Sequence, residues 1–342
     1  MDKLSRREFI RTTALGLSAL ALDPLLAACS QAIPTETITL PPTQPQPVEV
    51  KPTSAAPTQA TTPTSNASKP AGAPDLVVAR GGEPEEMVRR SLAALGGMER
   101  FVPKNARVVV KPNICVAYHT YEYAVTTNPW VVGALVKLAL EAGASRVQVM
   151  DNPFGGTAQE AYARSGIEEQ VKIAGGEMML MSGFKFVKTD IPLGKDLKSI
   201  TAFQDILDAD VLIDVPIAKH HGMAGLTLGM KNLMGAIEHR TTIHMNLGER
   251  IADLASLFRP ALTVVDAVRI LMANGPTGGD LSDVKKLDTV IASPDIVAAD
   301  SYATTLFGLQ PENIPYISPA VAMGLGRSDL GNLRIEEIQA GG

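Results

Sequence analysis

The chain has 342 residues, 31 of them Lys or Arg and 36 Asp or Glu, for a formal net charge of −5 with its five histidines neutral. A surplus of acid argues against nucleic acid as a partner, since phosphate backbones are met by basic faces. Two cysteines in all are too few for a zinc–thiolate site or a cysteine-ligated iron–sulfur cluster within this chain.

The first thirty residues read as an address. Ser5-Arg6-Arg7-Glu8-Phe9-Ile10-Arg11 is a twin-arginine motif, and the apolar run 13–22 that follows it is shorter than the about 20 residues a bilayer span needs. Leu26-Ala27-Ala28-Cys29 resembles a lipobox, where cleavage before the cysteine leaves it lipidated. Residues 1–28 are therefore predicted to be an export signal. Arg6 and Arg7 would engage the twin-arginine machinery, and a lipid on Cys29 would anchor the mature chain. Its place would be the outer face of the cytoplasmic membrane or the periplasmic side of an envelope membrane. Loss of residues 1–28 removes Lys3, Arg6, Arg7 and Arg11 against Asp2, Glu8 and Asp23, so the charge falls from −5 to −6. It also leaves Cys115 as the one free thiol, which excludes an internal disulfide. Residues 30–74 are rich in Pro, Thr, Ser and Gln, with Glu36, Glu49, Lys51 and Lys69 as their only charges. Such a stretch buries too little to order itself and is expected to be a disordered tether with a reach on the order of 35–40 Å.

Residues 75–342 have the length of a single large α/β domain. Strands are expected at 76–79, 108–110, 147–150, 211–215, 262–265 and 289–292. Each is a short β-branched run without polar alternation, as in strands covered by helices on both faces. A helix should start after Asn128, with Pro129 in its first position, Val131, Leu135 and Leu138 on one face and Gly143 beyond its end. Thr157 and Glu160 have capping-box spacing at the start of another helix. Later helices are expected from Asn246 and from Ser293-Pro294. Strand, helix and strand in succession imply a parallel βαβ unit. The fold class is accordingly α/β, with a mostly parallel, helix-covered sheet and a ligand rim at the carboxyl ends of its strands.

Polar residues follow these strands. Lys111-Pro112-Asn113 comes after the second, Asp151 after the third, Pro216 to His221 after the fourth and Asp266 after the fifth. Four of the five histidines fall within residues 215–244, together with Lys219 and Lys231. Lys219, Lys231 and Lys111 could form a cationic floor for a carboxylate or phosphate. A lysine on a buried rim also shifts its pKa readily, which suits proton abstraction or stabilisation of an enolate. Solvated surface lysines are the alternative, but apolar and small residues flank Lys219 and Lys231. His220 and His221 should face opposite ways on an extended segment, so that one of them enters the site. His239 and His244 lack the spacing of a helical zinc pair. A divalent metal held by Asp151, Asp266 and His221 stays open without a spacing signal. The glycine-rich turn 151–157 suits a plain tight turn or an anion cradle. The long loop 114–127, with Tyr118, His119, Tyr121 and Tyr123, has the form of a binding loop or lid.

Taken in order, Lys111-Pro112-Asn113, Asp151, Pro216-x-x-Lys219-x-His221, Lys231-Asn232-x-x-Gly235, Asp266, Gly275-Pro276-x-Gly278 and Asp300 resemble the bacterial and archaeal family called domain of unknown function 362. The resemblance covers residues 75–335 and is most specific in the Lys-x-His and Lys-Asn-x-x-Gly pair. It implies site positions more than an activity. Many relatives carry a ferredoxin-like segment with two cysteine clusters, and this chain lacks those cysteines.

Two functions remain. The first is an exported, tethered enzyme for a small anionic molecule, with His221, Lys219 and Lys231 catalytic and Lys111, Asn113, Asp151, Asn232 and Gly275 binding the ligand. The alternative is a non-catalytic solute-binding lipoprotein or an accessory subunit of an exported redox complex.

Overall fold

The computed structural model describes residues 72–341, so the expected export signal and most of the expected tether lie outside the described residues. Twelve strands are present in this part of the chain. They are β1 (Leu76–Arg80), β2 (Arg107–Pro112), β3 (Arg146–Val149), β4 (Glu177–Met178), β5 (Phe186–Asp190) and β6 (Ser199–Phe203), then β7 (Val211–Val215), β8 (Ile217–His221), β9 (Gly225–Thr227), β10 (Leu262–Leu271), β11 (Val284–Ser293) and β12 (Ile335–Gln339). Ten of them form one sheet, in the order β12-β1-β11-β10-β7-β2-β3-β4, with β8 also on β10 and β9 beyond it. β5 and β6 make a separate antiparallel hairpin.

The centre of the sheet is parallel: β10 with β7, β7 with β2, β2 with β3 and β3 with β4. β11 runs against both β1 and β10, and β9 against β8. Nine helices of the described residues flank this sheet or cap its edge. They are α1 (Pro84–Ala94), α2 (Pro129–Glu141), α3 (Ala158–Ser165), α4 (Ile167–Ile173), α5 (Gln204–Leu207), α6 (Gly229–Asn232), α7 (Leu247–Phe258), α8 (Ile296–Thr305) and α9 (Ile317–Ala322). None is long and apolar enough to cross a membrane.

Two cores explain why the strands read as unbroken apolar runs. Val108 and Val110 of β2 and Ile213 and Val215 of β7 pack with Val88, Leu92, Val131 and Leu135 of α1 and α2. Their neighbours Val109 and Leu212 point the other way, into a core with Ile251, Leu254, Val297 and Ala303 of α7 and α8. Alternation exists in space, but both faces are buried, so it leaves no polar period in the sequence.

Capping places the helices. The Asn128 side chain accepts from Trp130 N at 3.0 Å, and α2 closes ahead of Gly143 at φ 99°. Thr157 and Glu160 form the expected capping box on α3. α7 starts right after Asn246, although the Asn246 side chain makes no cap bond. The start expected at Ser293-Pro294 moves two residues on. Asp295 caps α8 by accepting from Ala298 N at 2.9 Å, while Ser293 Oγ accepts from Asp295 N at 3.0 Å.

Pro216 shapes the site edge. Having no N–H, it interrupts the strand, and the chain resumes as β8, still parallel to β10 but beyond Asp266. β8 then turns through Gly222 into β9, pairing Lys219 with Thr227 and His221 with Gly225. Lys219 and His221 thereby share one face, and His220 takes the other.

Candidate anion-binding site

The carboxyl ends of β2, β3 and β7 meet where α6 crosses them, and a chain of buried polar groups runs between them. Lys111, with no exposure, donates from Nζ to Asp151 Oδ1 at 2.8 Å and to Asn232 Oδ1 at 3.2 Å. Asp151 Oδ2 accepts from Ile114 N at 2.6 Å. Asn232 also accepts from Asn113 Nδ2 at 3.0 Å and donates to Lys111 O at 3.2 Å and Asp214 Oδ1 at 2.8 Å. Asn113 Oδ1 in turn accepts from Lys219 Nζ at 2.8 Å, and Lys219 donates again to Val125 O at 2.7 Å. Asn232 thus has both ends of its amide engaged, which fixes its orientation.

Lys111, Asn113, Asp151, Asn232 and Lys219, all expected to touch ligand or substrate, are therefore spent on one another. They form the floor beneath the site. Lys111 is fully enclosed and paired with Asp151, so it is not free to hold an anion. Gly235 lets this floor close: a Cβ there would lie 2.0 Å from Asp151 Oδ1 and 2.6 Å from Lys111 Nζ.

The groups left over stand above it. Lys231 is 8% exposed, and among the described residues its ammonium meets only Met234 Sδ, at 3.6 Å. Burial, then the charges of Lys219 and Arg240, lower its pKa to about 8. Arg240 donates to Asn152 O. Burial lowers the Arg240 pKa too, with Asp151 pulling the other way. His221 accepts from Met223 N at 3.2 Å and Ala224 N at 3.3 Å, both on Nδ1. A neutral imidazole held in this way carries its proton on Nε2. Burial and the charges of Lys231 and Lys219 push its pKa down to about 3. No basic nitrogen of His221 is free, so an acid–base role does not suit it, whereas a fixed Nε2–H donor does.

Two of the three expected metal ligands, Asp266 and Asp151, already have hydrogen-bond partners on their oxygens. Asp266 lies inside β10 and not at its end, because β10 continues to Leu271. Its oxygens accept from Asn128 N at 2.7 Å and Val268 N at 3.0 Å, so it anchors the start of α2. Burial raises its pKa to about 7 against those two bonds. Asp151 is taken by Lys111 and Ile114. Among the described residues no three His, Cys, Asp or Glu side chains are grouped to hold a metal. Asp300 is likewise structural, accepting from Gly229 N at 2.6 Å and Met230 N at 2.9 Å at the start of α6.

The flanking loops close around the same place. Gly275 N donates to His220 Nδ1 at 3.1 Å, and a Cβ on Gly275 would sit 1.8 Å from His220 O, so this glycine serves close packing of the 274–279 loop on β8. The Cys115 thiol donates to Pro276 O at 3.6 Å, and its pKa is raised by burial. In the 151–157 turn Gly155 O accepts from Ala117 N at 2.7 Å and Phe154 N donates to Cys115 O at 3.1 Å, so the turn packs on the 114–127 loop. His239 is exposed beside Glu238 at 3.5 Å. A separate groove of about 500 Å³ opens beside α2 and is lined by Arg89, Trp130, Lys137, Leu138 and Ile173. It shares no residue with the strand-end site, where the buried charges are.

Sequence reasoning missed Arg240 and Asp214. Arg240 lies in an irregular 3₁₀ segment, Arg240–Asn246, with no period to mark it. Asp214 had a signal, as one acid inside the apolar strand β7. It is fully buried, its Oδ2 has no hydrogen-bond partner, and burial raises its pKa well above the carboxylate range.

A thylakoid-associated protein of Synechocystis sp. is 29% identical over 247 residues, which cover 70% of this chain and 74% of that one. Among solved structures, the lactate racemase apoprotein from Thermoanaerobacterium thermosaccharolyticum overlaps 67% of this chain and 56% of its own, at 14% identity and a TM-score of 0.44. A protein from Thermotoga maritima overlaps 66% of this chain and 60% of its own, at 12% identity and a TM-score of 0.35. The chain thus spans less than two thirds of either solved structure. The family model described as domain of unknown function (DUF362) matches residues 108–305, which take in every residue of the polar floor and the cations above it, and the chain belongs to that family.

Proposed function

We propose that this protein is an enzyme that binds a small carboxylate or phosphate at the strand-end site and moves a proton on it. One observation carries the reading. Among the described residues Lys219, Lys231 and Arg240 are cations in or beside the core that form no ion pair: Asp151, which attracts Lys219 and Arg240, is held by Lys111, and burial raises the Asp214 pKa well above the carboxylate range. Unpaired buried charge is costly, and an incoming anion is what would offset it. Arg240 and the Nε2–H of His221 would hold the anion, and Lys231, with a pKa of about 8, would exchange the proton near neutral pH. Positive charge fixed around the site would stabilise an enolate or similar developing anion. The same reading keeps export through Arg6 and Arg7 and anchoring through Cys29, on the strength of the leader motifs.

The test is a thermal shift series with phosphate, acetate, glycolate and malonate. At least one should raise the melting temperature by about 5 °C at 100-fold excess over its Kd, and Lys231→Met should abolish the shift. The best-binding carboxylate of the series is then incubated in D2O with the protein. Deuterium uptake at its α-carbon supports proton transfer. Binding without uptake would leave a solute-binding lipoprotein, and no binding by any anion would sink the site.

A further inference from the structure

Eleven large apolar side chains are exposed among the described residues, and four of them are carried by the segments that reach this site: Tyr118 at 58%, Phe154 at 58%, Met223 at 62% and Met245 at 79%. Each lies within a few residues of a group that faces the cations. Phe154 is two residues past Asn152, whose carbonyl takes Arg240. Tyr118 sits on the same turn, its ring 3.1 Å from where a Cβ on Gly155 would be. Met223 gives its backbone N–H to His221 Nδ1. Met245 follows His244, whose imidazole is disfavoured as a cation by burial and by Lys231.

We propose that the anion bound here carries an apolar tail: the charged head goes to Arg240 and the Nε2–H of His221, beside Lys231, and the tail lies on the rim made by Phe154, Met223, Met245 and Tyr118. The inference rests on the anion-binding reading above and adds the substrate class, an amphipathic carboxylate or phosphate. A site for a bare inorganic anion gains nothing from an apolar rim, which would sit in water with or without the ligand. Binding sites for organic ligands combine a few placed polar groups with apolar walls. Methionines, flexible and polarisable, suit tails of varied shape.

The experiment is calorimetric titration of the full chain with acetate, butyrate, hexanoate and octanoate, and with the matching alkyl phosphates. Burial of each methylene should tighten binding by about 2–4-fold. In a Phe154→Ser, Met223→Ser, Met245→Ser triple variant, all three exposed and outside the core, the gain per methylene should vanish. Lys231→Met should lose heads of every length. A flat wild-type series whose binding still depends on Lys231 would overturn the tail and leave the anion site standing. No binding at any length would remove both. A flat series in which phosphatidylcholine vesicles sediment with the parent chain and not with the triple variant would reassign the rim to a bilayer surface and overturn the proposal.

Discussion

Lys231 stands where burial and like charge act in the same direction. With its pKa near 8, it is protonated below that value, and an anion at its ammonium should bind with constant affinity up to about pH 7. Affinity should then fall as pH rises through 8, about tenfold per unit once the proton is lost in the free protein, and calorimetry from pH 6 to 9.5 checks this. The linkage to folding has the opposite sense. The folded pKa lies below the unfolded 10.5, so the unfolded chain holds more protons between pH 8 and 10.5, and stability without ligand should rise across that window. Urea melts at half-unit steps should show the rise in the parent chain and its loss in Lys231→Met. Composition and spacing mark Lys231 as chemically special but give it the same catalytic role as Lys219 and separate Lys111 only as a ligand-binding residue. The difference lies in partners brought from other strands, Asp151 for one lysine and Asn113 with Val125 for the other, and no local pattern encodes those.

At the scale of elements, α6 and the turn after it are the part on which the site depends. Asp300 holds the first amides of α6, and Gly235 lets its far end rest on the Lys111–Asp151 pair. Gly235→Ala would drive a methyl into that pair, and disturbing a buried ion pair costs about 3–5 kcal/mol. The expected outcome is a loss of that order in urea melts, together with loss of anion binding. Gly222→Ala is the control. It has open space around it and should shift stability by less than about 0.5 kcal/mol. The Lys-Asn-x-x-Gly spacing was visible as a motif, and so were the cap at Asn128 and the box at Thr157, because each is local chemistry. β8 and β9 were not foreseen as a hairpin, since Pro216 and two histidines look like loop when read alone.

On the scale of the whole molecule, the six strands read from the sequence all lie in one sheet. Each is an apolar run, and that is what a strand between two helix layers must be. Direction was less legible. β11 runs antiparallel to β10 and β1, and nothing in a run of Val, Ile and Ala states which way it points. Asp266 reads as a strand end because it breaks the apolar run, yet pairing with β11 carries β10 on to Leu271. One whole-chain expectation concerns the leader. Cys29→Ala should release the protein from the membrane fraction of its native host, and Arg6→Lys with Arg7→Lys should hold it in the cytoplasm, both read by fractionation and immunoblot. Retention of Cys29→Ala in the membrane fraction would argue against a lipid anchor.

Lys219, Lys231 and Arg240, which form no ion pair among the described residues, bear on the protein's lifetime. Lys219 and Arg240 both repel the Lys231 ammonium in the folded state, and that repulsion would be relieved either by the proposed anion or by opening. The unliganded form is then the one that opens more often and the one a protease reaches first. If the proposed anion is its ligand, abundance of this protein would follow the supply of that anion with no dedicated regulator, and a starved population would thin itself by turnover.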